Sequence, residues 1–331
     1  MYDIITIGAA TRDVFLVSNA FVAIKSKKFA TGTGECVALG SKIEVGERVL
    51  TTGGGATNAA ATFSRLGLRT ATICRVGDDS PGKDVVEDLS CFGVSTHLVR
   101  MIKGADTAYS TILTMKDGER TVLVYRGTSS EFVAADIPQT VMKHTRWIYL
   151  TSLGGNLGLA KKIIASAHKA GVKVAWNPGR NELEGGLKGV APLLSMVSVL
   201  NMNLEEATLL TGTKRLADIF KLLHSDGLVR LITDGTNGAT VYRDGWMAHA
   251  ATTGVKSISR TGAGDAFGSG FVAGLIRVDP GLSLGNNEHL KEALRVGMVN
   301  AESVILQYGA KAGILKAWPS KRQMSRVMLI S

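Results

Sequence analysis

A glycine-rich stretch near the C-terminal end, SRTGAGDAFGSG at residues 259–270, places one carboxylate among residues suited to holding an anion. Gly262 and Gly264 allow a tight turn with inward-pointing amide N–H groups, and a predicted helix begins at the same point. The N-terminal end of a helix attracts phosphate, whereas Asp265 would repel it. The pattern therefore favours a carboxylate with a second task, such as accepting a proton from an attacking hydroxyl group. A tight turn in which Asp265 only caps the helix explains this stretch equally well.

A second glycine-rich stretch, GGGATNAAATFSRLG, covers residues 53–67. Consecutive glycines allow a ligand to approach the backbone, and the amide of Asn58 can both donate to and accept from hydroxyl groups. An ordinary helix start followed by alanine-rich packing is an equally good interpretation. No GxGxxG opens a helix after the first strand and no GxxxxGK[ST] occurs, so the sequence lacks the dinucleotide fingerprint and the P-loop.

The composition is that of a basic globular protein. The chain has 331 residues, of which 45% are hydrophobic and 20% charged, so a substantial core is expected and disorder is not. The formal net charge is +10, but Lys and Arg are scattered, and the only tight basic cluster is KSKK at residues 25–28. This distribution argues against a nucleic-acid partner and suits a protein that handles phosphorylated small molecules.

The three cysteines, Cys36, Cys74 and Cys91, form neither a CxxC motif nor a metal-ligand spacing. They are expected to be thiols in a reducing compartment. The opening MYDIITIGAATRDVF has no positively charged leader, and no apolar run is long enough to cross a bilayer. We therefore expect a cytoplasmic protein without a membrane partner.

Short β-rich runs alternate with helical runs along most of the chain. Strands are predicted by DIITIG, TATICRVG, VKVAW, MVSVLN and LVRLIT, and a hairpin by GATVYRDGWMAHA. Helices are predicted over residues 57–66, 83–92, 159–170 and 204–210, after Gly264, and from about His289 to Gln307. This alternation predicts an α/β fold whose mostly parallel sheet is covered by helices on both faces.

Two segments break the alternation. Residues 15–52 have few helical features and many glycines, and residues 107–126 have the pattern of two strands around a turn at residues 116–119. Such strands, inserted between strand–helix units, predict a small second sheet over one edge of the main domain. The sequence has no internal repeat and no low-complexity linker, which favours one domain with a β lid.

Six motifs occur in an order that resembles the ribokinase/phosphofructokinase-B (PfkB) family of carbohydrate and nucleoside kinases. Each motif is weak alone, but the resemblance runs nearly from end to end. The matching residues are Asp13 after the first strand; Gly53, Gly54 and Asn58 of GG-x-x-x-N; Gly77, Asp79 and Gly82 of G-x-D-x-x-G; Asn203 and Glu206 of N-x-x-E; Thr233, Gly235 and Gly238 of T-x-G-x-x-G; and Gly262, Ala263, Gly264 and Asp265 of TGAGD.

The resemblance implies an ATP-dependent kinase that phosphorylates a hydroxyl group of a ribose-like sugar. It implies one ribokinase-like domain over residues 1–331, with three layers α/β/α, and a lid formed by about residues 14–52 and 106–127. Asp265 would be the general base. Backbone N–H groups of residues 262–264 would stabilise the charge that develops on the transferred group.

The resemblance also assigns the other side chains. It implies acceptor binding by Asp13, Gly53, Gly54 and Asn58, nucleotide binding by Asn203, Thr233, Gly235, Gly238 and Asn300, and Mg²⁺ binding by Glu206. Mg²⁺ prefers oxygen ligands and keeps much of its water. Asn203 and Glu206 also have the spacing of a capping box, and both roles can coexist. Asn300 is placed near the adenine, with a surface position on its helix as the alternative.

The chain departs from the family pattern directly before TGAGD. The family places an aspartate and a threonine where this chain has Ser259 and Arg260, and in relatives that aspartate helps to hold a monovalent cation. The departure predicts activity that depends little on K⁺, and it leaves a catalytically weak homologue as an alternative.

The identity of the acceptor stays open at this level. Asp13 and Asn58 suit vicinal hydroxyl groups, which ribose, other sugars and nucleosides all carry. Arg126 and Arg180 could contact the phosphate of a sugar phosphate, although surface arginines are the simpler interpretation. The alternatives are a nucleoside or sugar-phosphate kinase and a non-catalytic sugar- or nucleotide-binding homologue, and a dehydrogenase lacks its fingerprint. Family members are monomers or homodimers joined through the lid.

Overall fold

The computed structural model describes residues 1–116, 119–279 and 286–330; Asp117 and Gly118 of the predicted turn lie outside the described residues. The strands are β1 (Tyr2–Ile7), β2 (Thr11–Val17), β3 (Val22–Lys25), β4 (Thr33–Cys36), β5 (Glu47–Gly53), β6 (Thr70–Ile73), β7 (Arg75–Gly77), β8 (Arg100–Ile102), β9 (Ala108–Thr114), β10 (Arg120–Tyr125), β11 (Thr145–Leu150), β12 (Lys173–Trp176), β13 (Val199–Asn203), β14 (Val229–Thr233), β15 (Ala239–Arg243), β16 (Trp246–Ala250) and β17 (Leu329–Ile330). The helices are α1 (Gly55–Arg65), α2 (Ser80–Cys91), α3 (Leu157–Lys169), α4 (Arg180–Leu183), α5 (Gly186–Leu194), α6 (Leu204–Thr211), α7 (Leu216–Leu222), α8 (Ala263–Val278), α9 (Asn287–Val304) and α10 (Lys321–Ser325).

A large, mostly parallel sheet forms the centre of the molecule. Its strand order in the described part of the chain is β17-β16-β15-β14-β13-β12-β11-β1-β6. Pairing is parallel from β6 to β14 and antiparallel from β14 to β17. Parallel neighbours need crossover connections, which the helices between these strands supply. The mostly parallel α/β architecture predicted from the sequence is therefore confirmed.

Two hydrophobic cores lie on opposite faces of this sheet. Because side chains alternate along a strand, Ile5 and Ile7 of β1 enter one core while Ile4 enters the other. The first core also receives side chains from α3, α5, α6 and α7, and the second from α1, α8 and α9. Helices α8 and α9 approach closely at Gly274, where an added Cβ would lie 2.7 Å from the Cα of Ala293. Both faces are covered, as predicted, and the result is three layers.

A second, smaller sheet is built from the two segments that break the alternation. Its order is β10-β9-β2-β5, with antiparallel pairs at both sides and a parallel β2–β9 pair between them. Strand β2 starts at Thr11, shortly after β1, and β5 ends at Gly53, next to the start of α1. Thr11 pairs with both Gly53 and Ala108, so these three strands meet the main domain along one edge. The predicted small sheet is confirmed.

The predicted helices are present with shifted ends. Helix α2 begins at Ser80 rather than Lys83, because Asp79 caps it. Proline is tolerated at position 81 because the first turn of a helix does not need its missing N–H. Helix α9 ends at Val304 rather than Gln307. The short helices α4, α5, α7 and α10 were not predicted, and α5 contains an internal proline, which obscures the helical pattern. Within the described ranges, no helix has the length and apolar character needed to cross a membrane.

Candidate active site

Two adjoining cavities open where strands β13 and β14 end. Asn203, Thr233 and Gly264 line both of them. The smaller cavity also contacts Asp265 and Glu206, and the larger has a volume of about 700 Å³. Ligands of parallel α/β sheets bind outside the carboxyl ends of the strands, and this volume is typical of small-molecule sites.

Asp265 lies in the first turn of α8, which follows Gly262. Gly262 has a φ of 82°, and a Cβ there would lie 2.3 Å from the Cβ of Ala310, so the turn requires glycine. The first-turn N–H groups and the helix dipole favour an anion here. Burial raises the pKa of the Asp265 carboxyl group, and a hydrogen bond from Asn58 opposes that rise. A carboxylate made more basic beside an anion site suits proton transfer next to a phosphoryl group.

Asn58 connects the glycine-rich stretch at residues 53–67 to the carboxylate of Asp265. Its side chain is buried in α1, and its Nδ2 donates a hydrogen bond to Oδ2 of Asp265 at 2.8 Å. Its Oδ1 is also buried, and it has no hydrogen-bond partner among the residues that the structure describes. An unsatisfied buried acceptor is costly unless a ligand group binds it. Asn58 can therefore accept from an acceptor hydroxyl while it holds Asp265.

Asp13 lies in the middle of β2 and is only 5% exposed. A Cβ on Gly53 would lie 2.0 Å from Oδ2 of Asp13, so glycine is required for the loop to pass this carboxylate. Gly54 has a φ of 98°, and a Cβ there would lie 2.4 Å from a carbonyl oxygen of the β1–β2 connection. Burial raises the pKa of Asp13, opposed by a hydrogen bond from Ser110 and by the charge of Lys311.

Asn203 and Glu206 form the capping box that their spacing predicts. Oδ1 of Asn203 accepts from the Glu206 N–H at 2.8 Å, and Oε2 of Glu206 accepts from the Asn203 N–H at 2.9 Å. Both side chains also line the smaller cavity. Burial raises the pKa of Glu206, and the negative charge of Asp265 adds to this rise. Both carboxylates therefore line the smaller cavity, and the charge of Asp265 acts on Glu206.

The lining of the smaller cavity fits a hydrated Mg²⁺. It combines the carboxylates of Asp265 and Glu206 with the amide groups of Asn177, Asn201 and Asn203. Oδ1 of Asn201 is buried and lacks a hydrogen-bond partner within the described chain, so it can accept from a metal-bound water. Mg²⁺ is usually held by one or two carboxylates and several waters. Accordingly, no group of three or more His, Cys, Asp or Glu side chains with metal-binding geometry occurs in the described ranges.

The larger cavity contains the predicted nucleotide residues. Thr233, Gly235 and Gly238 line it along the turn after β14. Gly238 has a φ of 93°, and a Cβ there would lie 2.0 Å from the carbonyl oxygen of Ala250. An apolar wall is contributed by Val255, Phe267, Met298, Ala301 and Ile305. Polar turn groups with an apolar wall suit phosphates and a flat base.

Asn300 belongs to the core. It has no exposed surface, so the alternative of a surface position is wrong. Its Nδ2 donates to the carbonyl oxygen of Ala266 at 2.8 Å, and its Oδ1 accepts from the N–H of Leu315 at 3.1 Å. Because its polar atoms bind other parts of the protein, the structure does not support the adenine contact expected for it.

The G-x-D-x-x-G motif has a structural role. Asp79 accepts hydrogen bonds at 2.8 Å from the N–H groups of Gly82 and Thr107, which fixes the start of α2 to the residue before β9. A Cβ on Gly77 would lie 2.1 Å from the carbonyl oxygen of Ala105. The motif thus anchors one strand of the small sheet to the main domain.

Arg260 lines the larger cavity although its side chain is exposed, whereas Ser259 is buried. Arg120 of β10 is partly buried nearby: burial lowers the pKa of its guanidinium group, and the positive charge of Arg260 lowers it further. The positive charge of Arg120 in the small sheet and that of Arg260 in the loop before α8 therefore act on each other. Arg126 and Arg180 are exposed and line neither cavity described above.

Sequence reasoning missed Asn177 and Asn201 in the smaller cavity. Asn177 directly follows β12, and Asn201 lies within β13. The available signal was a polar side chain at the carboxyl end of a strand that is otherwise apolar, because such positions meet at one edge of a parallel sheet.

Comparison with known proteins decides the family. A family model described as pfkB family carbohydrate kinase matches residues 17–317. The chain belongs to the pfkB family of carbohydrate kinases. It is therefore a phosphotransferase, and the resemblance inferred from its motifs is confirmed.

Relatives of this pfkB-family chain differ in their acceptors. Probable fructokinase-5 of Arabidopsis thaliana is 26% identical in an alignment of 293 positions. That alignment covers 83% of this chain and 87% of that protein. The ATP-dependent ribose-1-phosphate kinase of Halopiger xanaduensis is 31% identical over 224 residues, which are 67% of this chain and 72% of that protein. The solved structure of adenosine kinase from Sinorhizobium meliloti matches 95% of this chain and 97% of its own, with a TM-score of 0.75 and 24% identity. The ribokinase-like fold is therefore shown.

Proposed function

We propose that this chain is an ATP-dependent kinase that transfers the γ-phosphate to a hydroxyl group of a ribose-like sugar, with Asp265 as the general base. The supporting observation is the 2.8 Å hydrogen bond between Asn58 and Asp265. This bond brings the loop at residues 53–58, which we assign to acceptor binding and call the acceptor loop, to the carboxylate at the start of α8. A proton acceptor therefore lies between a pocket suited to hydroxyl groups and a helix end suited to phosphate.

On the acceptor side, Asp13 and Asn58 bind vicinal hydroxyl groups of the sugar. The carboxylate of Asp13 accepts hydrogen bonds, and the free Oδ1 of Asn58 accepts another. Glycines 53 and 54 let the sugar approach the backbone. The hydroxyl group to be phosphorylated lies against Asp265, which takes its proton as the oxygen attacks phosphorus.

On the donor side, ATP lies in the larger cavity with its phosphates along Thr233 and Gly235. Its base rests against the apolar wall that includes Phe267 and Met298. Backbone N–H groups of residues 262–264 and the dipole of α8 stabilise the charge on the transferred phosphoryl group. When bound at Glu206 and the neighbouring asparagines, Mg²⁺ neutralises negative charge on the phosphates.

The small sheet acts as a lid over the acceptor pocket, corresponding to about residues 14–52 and 106–127. Asp13 is on its strand β2, and the charge of Arg260 acts on Arg120 of its strand β10. The small sheet therefore supplies one side chain to the acceptor pocket and one positive charge that interacts electrostatically with Arg260. It also exposes four consecutive side chains at residues 122–125 of β10, all apolar or aromatic. A homodimer joined through this strand would cover these side chains. Sedimentation of the purified protein would show whether such a dimer forms.

A sugar-phosphate acceptor is the second candidate. The positive charges of Arg260, which lines the larger cavity, and of Arg120, on which Arg260 acts electrostatically, favour it, because guanidinium groups are suited to an added phosphate. The Halopiger relative, which acts on ribose 1-phosphate by its name, shares 31% identity.

The deciding experiment is a panel of acceptors assayed for ADP release with MgATP. The panel contains ribose, fructose, adenosine, other nucleosides, ribose 1-phosphate and fructose 6-phosphate. We expect the highest kcat/KM with an unphosphorylated sugar. A clear preference for a sugar phosphate would select the second candidate. Thermal stabilisation by these ligands without turnover would instead indicate a non-catalytic binding homologue.

A further inference from the structure

Lys311 is a buried lysine next to the acceptor loop. Its side chain is 2% exposed, and its Nζ lies 2.7 Å from Oδ2 of Asp88 in α2. It also donates a hydrogen bond to Oγ1 of Thr52 and approaches Oγ1 of Thr57 at 3.5 Å. Lysine is seldom fully buried without a partner, and here the ammonium group is held from three elements.

These contacts lead directly to the acceptor-binding residues. Thr57 donates a hydrogen bond of 2.6 Å to the carbonyl oxygen of Gly53, the glycine that passes Asp13. Thr52 precedes Gly53 in β5 and pairs with the residue before Asp13 in β2. These contacts connect Lys311 to the loop that we assign to the acceptor.

The charges around this lysine come from several elements. Burial lowers the pKa of Lys311, while Asp88 and Asp13 oppose that decrease. Burial raises the pKa of Cys74 to about 12, so this thiol carries no charge near neutral pH. Asp13 in turn faces Lys311 and Asp265, with hydrogen bonds to Ser110 and Thr11. Lys311 is therefore the cation that acts on Asp13, and Asp265 is the anion.

We propose that Lys311 is a positioning residue for the acceptor site: it fixes the Gly53 loop and supplies the positive charge that keeps Asp13 ionised. An ionised Asp13 accepts hydrogen bonds from sugar hydroxyl groups with both oxygens, whereas protonation turns one oxygen into a donor. Without a nearby cation, a carboxyl group this deeply buried would take up a proton more readily. The acceptor role of Asp13 rests on the proposed function, but its ionisation does not.

The test is a pH titration of the Asp13 carboxyl carbon by NMR in protein labelled with ¹³Cγ-aspartate. The Asp13 signal is assigned by its loss in Asp13→Asn. Lys311→Met keeps the length of the side chain and removes the charge. We expect the pKa of Asp13 to rise by about one unit in this variant, since a close opposite charge lowers a carboxyl pKa by roughly 1–3 units. This measurement needs no turnover, so it is independent of the proposed function.

The same variant gives a kinetic readout with the best acceptor of the panel. The acid limb of kcat/KM for the acceptor should move up by about one pH unit, which is about a tenfold loss on that limb. The KM for ATP should stay within about twofold, because the nucleotide pocket is untouched. Lys311→Arg should restore the wild-type profile, and Lys316→Met, which removes an exposed charge from the same segment, should not change it.

A double variant separates this role from a purely structural ion pair. Lys311→Met leaves Asp88 without its cation, which could lower stability for unrelated reasons. Asp88→Asn alone keeps the lysine charge and removes the same anion, so the Asp13 pKa should be higher in the double variant Lys311→Met with Asp88→Asn than in Asp88→Asn. Equal Asp13 pKa values in these two variants would overturn the proposal. So would an unchanged Asp13 titration in Lys311→Met.

Discussion

Nδ2 of Asn58 donates a hydrogen bond to Oδ2 of Asp265 at 2.8 Å, although the two residues are 207 positions apart in the chain. The bond joins the start of α1 to the start of α8, the two helices that open the proposed acceptor and phosphoryl sites. The residue assigned to acceptor binding therefore also orients the proposed general base. This coupling directs the predictions for both side chains.

Removal of the proposed base should abolish most of the turnover. Asp265→Asn keeps size and hydrogen bonding but cannot accept a proton, so kcat should fall about 10²- to 10⁴-fold. ATP binding, measured by calorimetry, should stay within a few fold. Asp226→Asn is the control, because its carboxylate is fully exposed and lines neither cavity. Turnover of Asp265→Asn near the wild-type rate would remove this residue from the mechanism.

The hydrogen bond to Asn58 should appear in the pH dependence of kcat. Asp265 must be deprotonated to act, so kcat should rise as pH increases through its pKa. Burial already raises that pKa, and the bond from Asn58 lowers it. Asn58→Ala should therefore move the acid limb of kcat to higher pH. It should also raise the KM for the acceptor more than the KM for ATP. An acid limb at its wild-type position would show that this bond does not act on the base.

Asp13 should contribute to acceptor binding rather than to ATP binding. Asp13→Ala leaves a sugar hydroxyl unpaired in a closed pocket, a loss of roughly 1–3 kcal/mol, or about 5- to 150-fold in kcat/KM. Separate saturation curves for the acceptor and for ATP measure this. Equal changes in both KM values would mean that Asp13 lies in a different pocket from the one proposed.

The lid should become ordered when the acceptor binds. The segments 15–52 and 107–126 contribute strands to a sheet with many exposed apolar side chains, so the hydrogen bonds of these strands should open easily in the free enzyme. Hydrogen exchange by mass spectrometry should slow in both segments at saturating acceptor. Exchange in β12 and β13, deep in the main sheet, provides the internal reference. Unchanged exchange in the lid would indicate a rigid cover.

Activity should be nearly independent of K⁺. Ser259 is buried and neutral at the position where the motif resemblance leads us to expect an aspartate, and cations need charged or carbonyl oxygens to replace their water. Arg260 brings a fixed positive charge to the same loop and lines the larger cavity. We expect Arg260→Ala to lose about tenfold in kcat/KM through weaker stabilisation of the phosphoryl group. Strong activation on replacing tetramethylammonium by K⁺ at constant ionic strength would contradict this prediction.

The sequence was informative where function depends on short motifs. TGAGD predicted a turn, a helix start and a carboxylate together, because glycine conformations and helix ends are properties of neighbouring residues. N-x-x-E likewise predicted the capping box of Asn203 and Glu206. The small sheet could be anticipated because strand periodicity is also local.

Features that depend on distant contacts were not predictable. The buried contacts of Lys311 join segments more than 200 positions apart, and nothing near that residue distinguishes it from a surface lysine. Asn300 was misplaced for the same reason, since only the packing of α8 against α9 buries it. The parallel pairing of β2 with β9 also arises from the fold and not from either strand alone.

The small sheet joins the main domain where Thr11, Gly53 and Ala108 pair, because β2 follows β1 closely and β5 leads directly into α1 there. We expect any movement of the lid to be a rotation about this line. The loop around Gly40, between β4 and β5, belongs to none of the strands that pair along this line. A Cβ at Gly40 would meet no heavy atom within 4 Å. A fluorophore or a small inserted domain can be attached there at little cost, and its movement would report the angle of the lid in each single turnover.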